Sequence, residues 1–190
     1  MDTTNSLVGH LLIAMPSLGD PNFQRSVVLL GAHSLEEGAF GLIVNRPIDV
    51  ELPDVLRELG LDPPATELPR VLSGGPVEPS HGFVLFELGD GRPEMDELSL
   101  PDGLTVSGSA DTLSTFTSGE RSGRYSLVLG YSGWFPGQLE NEIEENSWLV
   151  APLDTSIVFD IPYEDRWIAA LKSIGVDPGT IVDSGSATPA

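Results

Sequence analysis

The sequence predicts an α+β fold in one domain, with short, largely antiparallel strands interspersed with short helices. Apolar residues make up 40% of the chain, which is enough for a core, and 190 residues match the usual length of one domain. The chain also contains 21 glycines and 16 prolines, and this density of turn-forming residues leaves room only for short elements. No internal repeat or linker divides the chain.

The first third of the chain has the pattern of consecutive strands. Three apolar stretches are separated by polar turns, and such short connections indicate antiparallel hairpins. The predicted strands are Leu7–Met15, Ser26–Leu30 and Ala39–Val44.

A helix is predicted after these strands. Leu52, Val55, Leu56 and Leu59 recur at the spacing that places them on one helix face. Pro53 suits the first turn of this helix, where no backbone donor is needed.

The second half of the chain alternates between strands and short helices. The predicted strands are Val71–Leu72, Gly82–Leu88, Tyr125–Tyr131, Trp148–Ala151 and Ser156–Phe159. Helices are predicted over 109–118, where Ser109 can act as the cap, over 137–146 and over 163–174. We expect flexible ends at 1–6 and 184–190, with the domain over 7–183.

The charge of the chain limits its partners. Nine basic and 29 acidic residues give a formal net charge of −20, which disfavours direct binding to nucleic acids or anionic membranes. No apolar run approaches the roughly 20 residues of a membrane span, and the polar start lacks the basic segment of a secretory signal. The sequence therefore predicts a cytoplasmic protein. Its acidity favours either adaptation to a salty cytoplasm or a GC-rich coding bias.

Several classes of chemistry are excluded by the residue content. The chain has no cysteine, so thiolate catalysis and disulfides are impossible. The one lysine, Lys172, follows a leucine, so no phosphate-binding loop of the Walker type exists. The glycine pattern of dinucleotide-binding folds, the nucleophile elbow of hydrolases and the zincin helix motif do not occur either. The sequence predicts no cofactor.

No metal site is predicted. His10, His33 and His81 show no metal-ligand spacing, and we interpret them as hydrogen-bonded or exposed residues at strand and turn boundaries. Glu140 and Glu144 share a helix face and could hold a divalent cation, but a solvated acidic face is the favoured interpretation.

Three polar or glycine-rich segments are candidates for a binding site. Arg46 ends an apolar strand, where its guanidinium could either clamp an anion or anchor the fold, and the anchoring role is favoured. Gly74 and Gly75 could form an anion-binding nest or simply a tight turn. Trp134 lies at a strand-to-helix corner that could either pack internally or line a ligand groove.

Six segments of the chain, taken together, resemble the AlgH/YqgE family of bacterial proteins. They occur in the family's order and spacing over residues 7–185. The segments are Gly9–Pro16, Asp20–Val28, Gly38–Pro47, Gly74–Val77, Gly130–Trp134 with Gly137–Glu140, and Arg166–Trp167 with Ala170–Leu171 and Gly175–Asp177.

The resemblance implies a compact α+β domain whose sheet is folded into a barrel-like core with helices packed outside. The family is labelled as transcriptional regulators through an association with alginate production, and it has no established enzymatic activity. No catalytic residue is therefore carried over. The family's signature segments indicate where a binding site is expected, with the candidate residues Asn45, Arg46, Gly74, Gly75, Trp134, Gln138 and Glu140.

The chain departs from the family pattern at two positions. Many members carry a cysteine shortly before the histidine that matches His33, where this chain has Gly31 and Ala32. Many also carry a histidine where this chain has Phe86. Neither a thiol-based redox role nor a role for a histidine at 86 can operate here.

Two functions are therefore in competition, and a third, direct transcriptional control through DNA contact, is disfavoured by the charge. The favoured one is a regulatory or interaction protein that acts through a protein partner or a small ligand, without direct DNA contact. The alternative is an enzyme or anion-binding protein that uses Arg46, the Gly74–Gly75 turn and the Gln138/Glu140 end of a helix. That alternative requires the three segments to converge in space. The sequence leaves the oligomeric state open.

Overall fold

The strands form one sheet, in which two strands are long at 11 and 10 residues, and short helices cover it. A computed structural model describes residues 6–184 of the chain. The strands are β1 (Leu11–Ala14), β2 (Val27–Ser34), β3 (Gly38–Ile43), β4 (Leu72–Ser73), β5 (Val77–Glu87), β6 (Leu98–Ser99), β7 (Leu104–Ser107), β8 (Tyr125–Trp134) and β9 (Trp148–Ala151). The α-helices are α1 (Leu52–Glu58), α2 (Ala110–Thr117), α3 (Gln138–Glu144), α4 (Thr155–Phe159), α5 (Arg166–Ser173) and α6 (Pro178–Ser184). The 3-10 helices are Pro16–Leu18, Pro101–Gly103 and Tyr163–Asp165.

The sheet is largely antiparallel, as the sequence predicts. Its strand order is β6-β7-β5-β8-β3-β2-β1-β9, and every neighbouring pair in this order is antiparallel. The short β4 lies off this path and pairs in parallel with β8.

The barrel-like closure expected from the family resemblance is not confirmed. Within residues 6–184 no pairing joins the two edge strands, β6 and β9, so the sheet is open. Closure requires edge strands to pair along their length, and β6 offers only two residues. At the other edge, β9 is in contact with α3 and α5.

Both faces of the central strands are buried. Leu11 and Ile13 of β1 belong to one apolar cluster with Trp167 of α5, whereas Leu12 and Ala14 belong to a second cluster on the other face. Because successive side chains of a strand point to opposite faces, this double burial explains why β1 is apolar throughout. A third cluster joins α1 and α2 to β5 and β8.

Capping residues explain why one predicted helix is confirmed and why one predicted strand is wrong. Ser109 accepts a hydrogen bond from the Asp111 N–H at 3.2 Å and caps α2, as predicted. The predicted strand Ser156–Phe159 is wrong, because this segment belongs to α4. Asp154 accepts bonds from the backbone N–H and the hydroxyl of Ser156, and this cap starts the helix.

Helix α6 was not predicted. Pro178 occupies its first position, and the Asp177 carboxylate accepts a bond from the Gly179 N–H at 2.9 Å. The flexible ends expected at 1–6 and 184–190 fall almost wholly outside the described residues. Over the range 6–184, every helix is too short or too polar to cross a bilayer.

Candidate functional site

Asn45 fastens the loop that connects β1 and β2. Its side-chain oxygen accepts a hydrogen bond from the Val27 N–H at 2.8 Å, and its side-chain nitrogen donates to the Arg25 carbonyl at 2.8 Å. Both ends of the amide are therefore bound to backbone groups of this loop. The structure places Asn45 as a link between the end of β3 and the start of β2.

Arg46 holds the same loop from the next position along the chain. Its guanidinium donates to the carbonyl oxygens of Asn22 and Gln24, the latter at 3.0 Å. Burial lowers the pKa of Arg46, and the negative charge of Asp20 opposes that shift. The guanidinium stays charged at neutral pH, because the ordinary pKa of arginine lies far above neutrality. These contacts are those of an anchoring arginine.

Gly74 and Gly75 allow two backbone segments to approach closely. The Gly74 N–H donates to the Leu129 carbonyl at 2.8 Å, so this donor is used within the sheet. A Cβ atom at Gly74 would lie 2.3 Å from the Gly130 carbonyl oxygen, and one at Gly75 would lie 2.3 Å from that of Tyr131. The glycines are required here because no side chain fits against β8.

Trp134 and Gln138 meet at the carboxylate of Glu142. One Glu142 oxygen accepts bonds from the indole N–H groups of Trp134 and Trp148, at 2.9 and 2.8 Å. The other accepts from the Gln138 amide at 2.8 Å. The ring of Phe23 lies 5.4 Å from that of Trp148, centroid to centroid. This network binds α3 to β8, β9 and the β1–β2 loop.

Glu142 was not among the residues that we predicted for a site. Gln138 and Glu142 are four positions apart, and this spacing was the available signal that the two side chains share a helix face. The two indoles come from different strands, so the spacing of residues could not indicate that both would meet this carboxylate.

Glu140 pairs with His33 at the other side of α3. The Leu7 N–H donates to His33 Nδ1 at 3.1 Å, so Nδ1 is unprotonated and the ring proton is on Nε2. The Nε2–H then donates to Glu140 Oε1 at 2.7 Å. The His33 side chain is only 5% exposed. Both ring nitrogens are occupied, which leaves neither to accept a proton from a substrate.

The acidic residues do not assemble a metal site in the part of the chain that the structure describes. There, no group of three histidine or carboxylate side chains is arranged to hold an ion. Glu140 is engaged with His33, and Glu144 is exposed on the surface of α3.

The structure brings some of the predicted site residues together. The Ser73 N–H, next to Gly74, donates to the Arg46 carbonyl at 2.9 Å. Phe23 lies between the two residues that Arg46 binds and packs against the Trp134 ring. Asn45 and Arg46 contact the β1–β2 loop, whereas Trp134 and Gln138 share the Glu142 carboxylate. Among residues 6–184, no hydrogen bond or ion pair joins the Arg46 side chain to Gln138, Glu140 or Glu142 of α3.

A cavity lies where the β1–β2 loop meets α5. It has a volume of about 530 Å³, and Met15, Leu18 and Trp167 form apolar parts of its wall. The Arg25 guanidinium is stacked over the Trp167 ring, with its central carbon 4.7 Å from the ring centroid. Sequence reasoning missed this pair, because Arg25 and Trp167 lie in distant segments and neither segment has a ligand-binding pattern.

Comparison with known families gives a match over most of the chain. A family model described as AlgH-like matches residues 11–179. The chain is 44% identical over 179 residues to UPF0301 protein Mmc1_0726 of Magnetococcus marinus, with 94% of this chain and 95% of that protein covered. A UPF0301 protein of Paracoccus denitrificans is also 44% identical, with 94% and 95% covered.

Solved structures with the same fold are also known. The solution structure of the AlgH protein from Pseudomonas aeruginosa is similar with a TM-score of 0.78 and 37% identity, and the match covers 100% of this chain and 99% of that one. The crystal structure of protein DIP2367 from Corynebacterium diphtheriae is similar with a TM-score of 0.71 and 27% identity, over 90% and 89% of the two chains.

Proposed function

The chain belongs to the AlgH-like family, and from this premise we propose that it is a regulatory protein that acts through contact with a protein partner and not with DNA. The observation that carries the proposal is an exposed apolar patch, made of Leu35 and Phe135. Phe135 is 81% exposed at the end of β8, and Leu35 is 62% exposed in the turn between β2 and β3.

The two residues of the apolar patch lie on neighbouring turns. Ala39 of β3 pairs with Trp134 of β8, so the β2–β3 turn and the end of β8 are side by side. A Cβ atom at Gly38 would lie 3.1 Å from the Phe135 backbone, which shows how closely the turns approach. Large exposed apolar side chains at one place are typical of protein-binding surfaces.

Charge around the apolar patch indicates the kind of partner. Glu36 and Glu37 are exposed beside Leu35 in the same turn, in a chain of net charge −20. A partner with an apolar pocket flanked by lysine or arginine side chains complements this surface.

Most cations of the chain already have partners within the protein. Four arginines pair with carboxylates, and two donate to backbone carbonyls. The first set is Arg57, Arg70, Arg121 and Arg124, and the second is Arg46 and Arg166. Direct DNA binding would need a basic surface that releases counterions from the phosphates, and these contacts weigh against one.

The alternative function, an enzyme or anion-binding protein that uses Arg46, would have to break existing contacts. Arg46 would give up its bonds to the Asn22 and Gln24 carbonyls, and Glu140 its bond to His33. A hydrogen bond to a charged group contributes about 1.5–3 kcal/mol, and less where water can replace it, as at the exposed residues Asn22 and Gln24. We therefore favour the regulatory role.

Photo-crosslinking in cells tests the proposed protein contact. With p-benzoylphenylalanine in place of Phe135, we expect an adduct to a protein with a basic, apolar surface. The same analogue in place of Met95, which is also fully exposed, is the matched control and is expected to give no such adduct. Charge reversal by Glu36→Lys with Glu37→Lys is expected to abolish the adduct. Equal crosslinking from both positions, or none from position 135, contradicts the proposal.

A separate experiment tests the exclusion of DNA. We expect the fluorescence anisotropy of a labelled DNA duplex to stay constant when the protein is added at low ionic strength, where electrostatic binding is strongest. Saturable binding that weakens with added salt would overturn this part of the proposal.

A further inference from the structure

The cavity between the β1–β2 loop and α5 has the size of a small-molecule site. Its volume of about 530 Å³ lies in the range of roughly 300–1,000 Å³ that is usual for ligand pockets. Met15 and Leu18 are half-buried along its wall, and Trp167, which is 2% exposed, also contributes to the lining. Such a wall binds an apolar body by removing it from water.

Arg25 supplies one positive charge to this cavity. Among the residues described, no carboxylate lies within ion-pair distance of its guanidinium, and no side chain or carbonyl accepts a hydrogen bond from it. The guanidinium lies over the Trp167 ring, and its N–H groups have no hydrogen-bond acceptor among residues 6–184. Two parallel N–H groups of an arginine match the two oxygens of a carboxylate.

The backbone of Arg25 is held in an uncommon conformation. Its φ is 53°, in the left-handed region that non-glycine residues rarely adopt. Asn45 binds the Arg25 carbonyl, and Arg46 binds the carbonyls on either side of Phe23. Strained backbone of this kind persists only where its surroundings hold it, and it is concentrated at functional sites. The signature pair Asn45 and Arg46 thus positions Arg25 over Trp167.

The charges that line the cavity favour a single negative charge on the ligand. Asp20 is the one acidic residue of the lining, and its carboxylate accepts a bond from the Asn22 N–H at 2.8 Å and faces the Arg46 charge. One free guanidinium matches one carboxylate. A doubly charged phosphate would be repelled more strongly by Asp20 and by the net charge of −20.

We propose that this cavity binds a small monocarboxylate with an aromatic or branched apolar body. The carboxylate binds the N–H groups of Arg25, and the apolar body lies against Met15 and Leu18, next to the small exposed part of Trp167. This site is separate from the apolar patch at Leu35 and Phe135, so each proposal can fail without the other.

Titration with phenylacetate, followed by NMR of the tryptophan indole N–H groups, tests the proposal. The Trp167 indole donates to the Ala14 carbonyl at 2.9 Å, and both residues line the cavity. We expect a saturable shift of the Trp167 signal, while Trp134 and Trp148, held on Glu142, act as internal references. Phenylacetamide and phenyl phosphate are expected to bind at least about tenfold more weakly than phenylacetate, because the first lacks the charge and the second carries too much.

Substitution of the arginine gives an independent measurement. Arg25→Gln is expected to weaken phenylacetate binding by about tenfold or more and to abolish the difference between the acid and its amide. Arg92→Gln, the same change at another exposed arginine, is the matched control and is expected to leave binding unchanged. The amide signals of each variant report whether it is folded.

Three outcomes would overturn the proposal. They are equal binding of phenylacetate and phenylacetamide to the unaltered protein, unchanged binding after Arg25→Gln, and a titration that leaves the Trp167 signal in place. Equal binding of the acid and the amide, and an unchanged Trp167 signal, are both measured on the unaltered protein. A folding defect caused by substitution of Arg25 therefore cannot explain either result. Tighter binding of phenyl phosphate than of phenylacetate would assign the site to phosphate esters instead.

Discussion

At the scale of the residue, the Glu142 carboxylate is the acceptor for three side-chain donors. Two are indole N–H groups of tryptophans that are at most 6% exposed, and the third is the Gln138 amide. Buried donors without an acceptor are costly, so one carboxylate determines whether both tryptophans can be buried. We therefore assign Glu142 to stability and not to chemistry.

Glu142→Ala is expected to lower the free energy of unfolding by about 2–4 kcal/mol, because two buried indole donors lose their acceptor. Urea unfolding measures the change. Glu142→Gln keeps one acceptor oxygen and should lose about half as much.

Glu144→Ala is the matched control for this experiment. It makes the same substitution on the same helix at an exposed position, so it controls for the loss of a glutamate side chain from α3. Equal effects of the two alanine substitutions would show that the indole contacts contribute nothing measurable.

At this scale, the sequence could indicate which residue types suit a site but not which side chains would meet. The sequence predicted Arg46 as a candidate site residue and favoured an anchoring role. The hydrogen bonds from Arg46 to two loop carbonyls are consistent with that role. The sequence did not predict a role for Glu142 or Arg25, because the tryptophans that contact them lie on strands and helices that pack together only in the folded protein. Ligand binding by the candidate site residues stays a prediction.

At the scale of the element, the β1–β2 loop is held in place mainly by contacts to Asn45 and Arg46. These two residues follow β3 and supply hydrogen bonds to loop backbone atoms. The loop thereby acquires a defined conformation without regular secondary structure along most of its length. That conformation presents Arg25 to the cavity beside α5.

Arg46→Ala is expected to lower the free energy of unfolding by about 1–3 kcal/mol, because two loop carbonyls lose their donor. Arg46→Lys should recover only part of this, since a compact ammonium lacks the fork that reaches both carbonyls. Chemical denaturation followed by circular dichroism measures both changes.

Arg57→Ala is the comparison for the Arg46 variants. It breaks an exposed ion pair to Asp54 on α1, for which we expect a loss below about 1 kcal/mol. If Arg46→Ala proved no more harmful than Arg57→Ala, the loop would not depend on this arginine.

Short elements were predictable where a cap lies next to them in sequence. The Ser109 cap indicated α2 correctly, because the capping oxygen and the N–H it binds are two residues apart. The β-branched residues in 156–159 suggested a strand, but the Asp154 cap favoured α4. In a segment of five residues, one cap outweighs a weak preference for extended backbone.

At the scale of the whole molecule, charge is the dominant property. The nine cations neutralise only part of the 29 negative charges, and the remaining net charge of −20 makes the acidic side chains repel one another. The sequence offers two explanations of this acidity, adaptation to high salt or a coding bias. Only the first interpretation predicts a benefit from salt.

Added KCl is expected to raise the thermal unfolding midpoint, because it screens repulsion between surface carboxylates. A gain of about 1 kcal/mol corresponds to roughly 2–4 °C for a chain of this size. Calorimetry from low ionic strength to about 1 M, where the screening length is about 3 Å, measures the shift.

A charge-reduced variant separates screening from other salt effects. Glutamine at the four exposed positions Glu36, Glu37, Glu144 and Glu145 removes repulsion and should reduce the response to KCl. A midpoint that did not rise, or that rose equally in both proteins, would argue against adaptation to salt.

The sequence by itself determined the α+β class, the antiparallel hairpins, the capped helix α2 and the absence of thiol chemistry. These properties depend on composition and on neighbours a few positions apart. Only the tertiary structure decided that the sheet stays open, that Glu142 joins two tryptophans and that Arg25 stacks on Trp167. The physical reason is that strand pairing, indole hydrogen bonds and contacts with aromatic rings join residues that are far apart in sequence and meet only after the chain has packed.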